Sequence, residues 1–241
     1  MRPGIIIQHA AERSPDTNLV RSDVTGFLAV VPRPRWPEGA TKGDFIEVHL
    51  ERATDLVEHR QRQVFDPVTR AAVHQFFRNG GDRCRIYGVV IETEQDLMQE
   101  DPFGGVMGPV LEHLRGNEDI GLVAMPVLSH IPPRFEPDGS VVVPTDPVWR
   151  LLLAHCREMN NRFLLIDPPR DLHEEALFGW VAGLRKSAGP SSAYGALYYP
   201  WLKSGDDEFP PSGCMAGVFA RVEREHAPFG VRWPPANMEL R

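Results

Sequence analysis

A segment that starts on Asp66-Pro67, stops on Asn79-Gly80-Gly81 and runs straight into the β-rich stretch Cys84–Ile91 constrains this chain more than any other. Asp offers a side-chain acceptor to the first free N–H groups of a helix. Pro holds the φ that a first helical residue needs, and Gly takes the left-handed conformation that ends a helix. Between these signals Val68, Ala71, Ala72, Gln75 and Phe76 recur at helical spacing. A helix that delivers the chain into a strand is half of a crossover unit, the connection that joins parallel strands.

The same grammar recurs. Val24 to Val31 reads as a buried strand followed by a stiff proline-rich loop, Pro109 to Leu114 as a short helix, and Ile120 to Met125 as another buried strand. Residues 126–144 read as a loop in which Asp138-Gly139 allows a hairpin. Thr145-Asp146-Pro147 is expected to cap a long helix with Trp149, Leu152, Leu153 and Cys156 on one face, and Phe163 to Ile166 is the strand after it. A third helix is expected over Asp171 to Leu184 and a further strand over Ala193 to Tyr199. The fold class is therefore α/β: a mixed, largely parallel sheet flanked by helices on both faces. Residues 1–22 read as an extended N-terminal arm with a strand-forming tip, Ile5-Ile6-Ile7-Gln8, able to pair with its own sheet or a neighbour's edge, and residues 23–241 as the core domain.

Composition removes several function classes. Against 26 basic residues stand 33 acidic ones, a formal charge of −7, which disfavours a phosphate backbone as partner. Cys84, Cys156 and Cys214 form no metal-ligand or CxxC spacing, and their odd count fits a reducing compartment, so cytoplasmic synthesis is expected. The run Ile5 to Ile7 is too short for a signal-peptide core, and no stretch approaches the roughly 20 apolar residues that span a bilayer, so no membrane insertion is expected. The 23 prolines and 21 glycines imply many ordered turns.

Candidate chemistry is sparse. The histidines form no HxxxH or HxH, and Gly104-Gly105-Val106-Met107-Gly108 lacks the Lys of a phosphate-gripping loop, so neither metal nor cofactor is expected. Asp167 follows a strand, where α/β folds place ligands, and is expected instead to cap the turn or the next helix. Ser212-Gly213-Cys214-Met215-Ala216-Gly217 opens a helix, and Cys214-Met215-Ala216 is similar to the Ser-Met-Ala at the nucleophile of subtilisin-like proteases. The Asp-Ser/Thr-Gly and His-Gly-Thr motifs that such a triad needs are missing. Small residues for close packing of the helix on a sheet are the simpler account, with a hydrolase using Cys214 or Ser212 as the alternative.

Pro210-Pro211-Ser212-Gly213, Ala216-Gly217, Ala220-Arg221 and the closing Pro235-Ala236-Asn237 resemble the segment PPSGxxAGxYAR…APAN of contractile tail sheath proteins from phages and injection systems. Pro3-Gly4-Ile5, Thr25-Gly26-Phe27, Phe76-Phe77-Arg78-Asn79-Gly80-Gly81 and Ala196-Leu197-Tyr198-Tyr199-Pro200-Trp201 resemble further family segments in the same order. The resemblance implies a non-catalytic structural subunit of a phage tail-like, virion-like assembly, an oligomer stacked around an inner tube, with a subtilisin-like core. Its implied partners are other sheath subunits, the inner tube protein and baseplate or cap components, and its implied location is the cytoplasm or a phage tail-like particle. The family continues well past the Pro-Ala-Asn motif. The expectation is therefore a fragment, or a short sheath-like subunit that caps, starts or decorates the assembly or borrows strands from a longer partner.

Overall fold

In the computed structural model, residues 24–55, 64–99, 105–137, 140–205, 207–226 and 239–240 are described. The arm tip Ile5, Ile6, Ile7 and Gln8 and the motif residues Pro235, Ala236 and Asn237 lie outside them.

Helices and strands alternate as the caps and stops require. Strands β1 (Val24–Pro32), β2 (Phe45–Leu50), β3 (Cys84–Ile91), β4 (Ile120–Ala124), β7 (Phe163–Ile166) and β8 (Gly195–Leu197) form one sheet in the order β2-β3-β1-β4-β7-β8. Neighbours from β3 to β8 are parallel, and β2 runs antiparallel at the other edge. Two ribbons complete the strands: β5 (Arg134–Phe135) with β6 (Val141–Val142), and β9 (Leu202–Ser204) with β10 (Asp207–Phe209). The helices are α1 (Pro67–Arg78), α2 (Gly108–Arg115), α3 (Asp146–Met159), α4 (Glu174–Ala188) and α5 (Ser212–His226).

Side-chain alternation along each strand builds two cores. Phe27, Ala29 and Val31 of β1 face Ala72, Val73 and Phe76 of α1 and Ala216 and Ala220 of α5. Leu28 and Val30 face the opposite cluster, with Leu114 of α2, Trp149 and Leu152 of α3 and Leu177 of α4. The sheet is thus covered on both faces, which explains why its strands read as unbroken apolar runs.

Local chemistry sets the element ends. Thr69 N–H donates to Asp66 Oδ1 at 2.7 Å, so the predicted cap of α1 forms. At the start of α3 the expectation fails in part: the Thr145 side chain makes no cap hydrogen bond, and Asp146 Oδ1 instead accepts from Trp180 Nε1 of α4 at 2.6 Å. Helix α4 begins three residues later than expected because Pro168-Pro169 leads into a turn and His173 is the cap, its Nδ1 accepting from Ala176 N–H at 3.2 Å. Its end is also later, at a left-handed Gly189 (φ 54°). The expected strand over 193–199 shrinks to Gly195–Leu197, since a 3-10 turn opened by Gly189-Pro190 occupies the residues before it. Edge strand β2 and the β9–β10 ribbon were not foreseen. A β5–β6 pair flanks the expected hairpin, whose tip Asp138-Gly139 is outside the described residues.

Parallel strands in the order β3-β1-β4-β7-β8 have their switch point between β1 and β4, and sheets of this kind bind ligands outside the carboxyl ends there. Asp66 occupies the backbone groups at the end of β1, accepting from the Val30 N–H at Oδ2 (3.0 Å) and donating its own N–H to the Val30 carbonyl (3.1 Å). Phe65, fully buried, lies against Gly88, where any Cβ would collide with the Phe65 ring.

Candidate functional site

The motif residues from Ser212 to Arg221 form the first two-thirds of α5, and their small side chains have a steric purpose. Gly213, Ala216, Gly217 and Ala220 lie at the i, i+3, i+4, i+7 spacing of one helix face. A Cβ at Gly213 would overlap the Ala72 carbonyl, and one at Gly217 the Phe76 carbonyl. Two helix backbones therefore touch. The stripe was expected to pack on a sheet; Ala216 and Ala220 do lie in the cluster with the sheet residues, while Gly213 and Gly217 meet α1 and admit helix to helix at closer range than side chains allow.

Arg221 extends the same lock. Only 4% exposed, it donates from Nη2 to the Glu239 carbonyl at 2.8 Å, tying α5 to residues beyond the helix. Its stem lies over Gly80, whose φ of 107° only glycine adopts readily and where a Cβ would come within 2.8 Å of the Arg221 Cβ. The Asn79-Gly80-Gly81 stop of α1 and the Ala-Arg of the motif are thus two halves of one contact.

Asp167 sits at the carboxyl end of β7, fully buried. It was expected to cap the adjacent turn or the next helix. It caps a remote one instead: Ser212 N–H, the first of α5, donates to Asp167 Oδ1 at 2.8 Å across 45 positions of sequence. Burial pushes this carboxyl up to about 7, with Ser212 opposing the rise. Both the Ser212 backbone and hydroxyl favour the ionised form, although the Ser212 Oγ makes no hydrogen bond of good geometry.

Cys214, 2% exposed, accepts from Asn79 Nδ2 at 3.4 Å and reaches Gln75 Oε1 at 3.8 Å, both on the α1 side. Burial pushes its thiol up to about 11, with Arg78 and Asn79 opposing and Asp167 adding to the rise. A nucleophilic cysteine needs the reverse, a depressed pKa and access. Ser212 is fully buried as well. Both residues of the hydrolase alternative are thus buried, Cys214 against α1 and Ser212 against Asp167. Among the described residues no group of three His, Cys, Asp or Glu could hold a metal ion, and no helix is long and apolar enough to cross a membrane.

Other buried titratable groups also serve the fold. Arg162, 2% exposed, donates to the carbonyls of Leu114 (3.0 Å) and Asn117 (2.8 Å) at the end of α2. Beside it burial, with help from the Arg162 charge, lowers His155 to about 4, leaving a neutral ring whose Nε2 accepts from Arg162 Nη1 at 3.0 Å. Sequence reasoning missed one surface feature, an exposed Phe178 and Tyr199 beside the sheet edge. The sequence signal was Phe178 on the otherwise polar face of α4.

No protein-family model matches the chain, and no curated protein does. Solved structures do. A chain of the anti-feeding prophage helical sheath in its contracted state is 22% identical, with a TM-score of 0.57, over 99% of this chain and 56% of that one. A chain of the six-fold symmetrised anti-feeding prophage baseplate is 22% identical, with a TM-score of 0.58, over 100% of this chain and 57% of that one. A chain of the contracted sheath complex of the extracellular contractile injection system PVC is 20% identical, with a TM-score of 0.50, over 100% and 55% respectively. The chain spans a little over half the length of these neighbours, and across that span its fold is sheath-like.

Proposed function

We propose that this chain is a structural subunit of a contractile injection-type particle, a sheath or sheath-like accessory component that acts as one rigid body in a larger array. The observation that carries this is the end-to-end fold agreement with the anti-feeding prophage sheath and baseplate chains, over 99% and 100% of its length.

The internal geometry suits that task. A subunit that transmits movement must shift as a block, which interlocked packing favours over continuous deformation. The backbone contact joins α5 to α1, the Asp167 cap joins it to the end of β7, and Arg221 ties it to Glu239. The partners proposed are neighbouring sheath subunits, an inner tube and baseplate or cap components, in the cytoplasm or in the finished particle. Residues 1–22, with Ile5, Ile6, Ile7 and Gln8, are proposed as a connecting arm, and Pro235, Ala236 and Asn237 as part of the same motif as α5. Contraction belongs to the assembly rather than to this chain alone.

Co-expression with the products of neighbouring genes, followed by particle purification and electron microscopy, tests the proposal. The chain is expected in tube-shaped or ring-shaped particles at a fixed stoichiometry. Intact particles that consistently lack it would overturn the assignment.

A further inference from the structure

The outward surface of α4 carries a line of four exposed residues, Glu175, Gly179, Ala182 and Lys186. Their i, i+4, i+7, i+11 spacing confines them to about 60° of the helix circumference, on the side away from the buried Leu177, Trp180 and Leu184. Phe178, 65% exposed, and Arg185 flank the line on the side of an apolar groove of about 440 Å³ between α4 and β8. Among the described residues nothing accounts for Gly179, since a Cβ there would meet no atom within 4 Å, and glycine inside a helix is less favourable than alanine. In α5 the same small residues at the same spacing bring a second helix into backbone contact; on α4 that place is open.

We propose that this line is the contact surface for a second copy of the chain, the two α4 helices packing antiparallel about a two-fold axis. Read from either end, the line is its own complement: acid, small, small, base. With the axis level with the midpoint between residues 180 and 181, Glu175 lies opposite the partner's Lys186 and Gly179 opposite the partner's Ala182, and symmetry repeats both pairs. One register satisfies all four. Phe178 and the partner's Arg185 then stand on the same flank, two residues or about 3 Å apart along the helix axis. Helical side chains lean toward the N-terminus of their own helix. In an antiparallel pair these two therefore lean toward each other, and the guanidinium covers the exposed ring.

Charge order selects the arrangement and the occupant. A parallel copy would set Glu175 against the partner's Glu175 and Lys186 against the partner's Lys186, like charges at both ends of the contact. The antiparallel copy turns each of these into an opposite pair, and the small residues between them let the two axes approach to about 8 Å. Burial of Phe178 supplies the apolar part of the contact. Such an interface is isologous and closes on two copies. It builds no array by itself, so it neither rests on the sheath proposal nor falls with it.

Sedimentation equilibrium of the full chain alone, across the micromolar range, is expected to show a reversible monomer–dimer equilibrium. Gly179→Leu fills the point of closest approach and should weaken association at least ten-fold, while the helix itself persists because leucine is the better helix former. Glu175→Lys should weaken it several-fold, and adding Lys186→Glu to the same chain should restore it. Cysteines placed on the line report the direction of the pair, since the native ones are all buried. Ala182 is three residues, about 4.5 Å along the axis, from the level of its own copy, and Glu175 eleven residues, about 16 Å. Oxidation is therefore expected to link Ala182→Cys chains into disulfide dimers and to leave Glu175→Cys chains unlinked. A chain that stays monomeric throughout the range overturns the proposal. So does association that Gly179→Leu leaves unchanged in a chain of native circular dichroism, a charge exchange that restores nothing, or equal cross-linking through both cysteines.

Discussion

Asp167 shows how a single buried carboxyl couples this fold to pH. Its carboxyl titrates near 7 in the folded chain, against an ordinary aspartate value near 4 when unfolded. The folded state therefore holds the proton more tightly. Stability from this group is fully present below about pH 4 and is lost as pH rises to about 7, a change on the order of 2–4 kcal/mol. Asp167→Asn keeps an acceptor for Ser212 N–H and removes the titration. Urea midpoints measured at pH 5 and pH 8 are expected to fall with pH in the native chain and to converge in the variant; an unchanged slope would show that Asp167 stays ionised. Cys214 is the counterpart that does not titrate usefully, since its thiol, pushed up to about 11, is neutral throughout this range. The resemblance of Cys214-Met215-Ala216 to a nucleophile motif is thus a resemblance of packing, with small residues at a helix start pressed against another helix.

At the scale of elements, the glycines of α4 and α5 make opposite predictions from the same residue type. Gly217→Ala forces a methyl into the Phe76 carbonyl and Gly213→Ala into that of Ala72, so each is expected to destabilise by roughly 1–3 kcal/mol through displacement of α5. Gly179 and Gly183 in α4 have open space around the position of a Cβ, and Ala there is expected to stabilise by about 0.5–1 kcal/mol through helix propensity alone. Thermal denaturation of the four single variants checks both signs; equal effects would dissolve the helix–helix lock as an explanation. These contacts also mark what was legible beforehand. Asp66-Pro67 and Asn79-Gly80-Gly81 bound α1 because caps and stops act within a few residues, and β3 and β7 match their expected limits because buried parallel strands are continuously apolar. The Asp167–Ser212 bond was hidden because its partners are 45 positions apart, and the direction of the small stripe because a period of 3.6 reveals a face without naming what meets it. Edge strand β2 was missed since Glu47 and His49 break its apolar run, their side chains joining a polar network with Arg85 and His113.

For the whole molecule the division between core and arm is the consequence that matters most. Among the described residues the two cores run from β1 to α5, and each packs the sheet against helices. Deleting residues 2–18 is expected to leave far-UV circular dichroism and the cooperativity of unfolding unchanged, as a terminal arm outside the core would. In the co-expression assay the truncated chain should stay soluble yet be depleted from particles, because the connecting segment is gone while the rigid body remains. Global unfolding on deletion would place the arm inside the core. Normal incorporation would instead move the connection to another surface, leaving the sheath-like fold intact but assigning its joints to the body rather than to the arm.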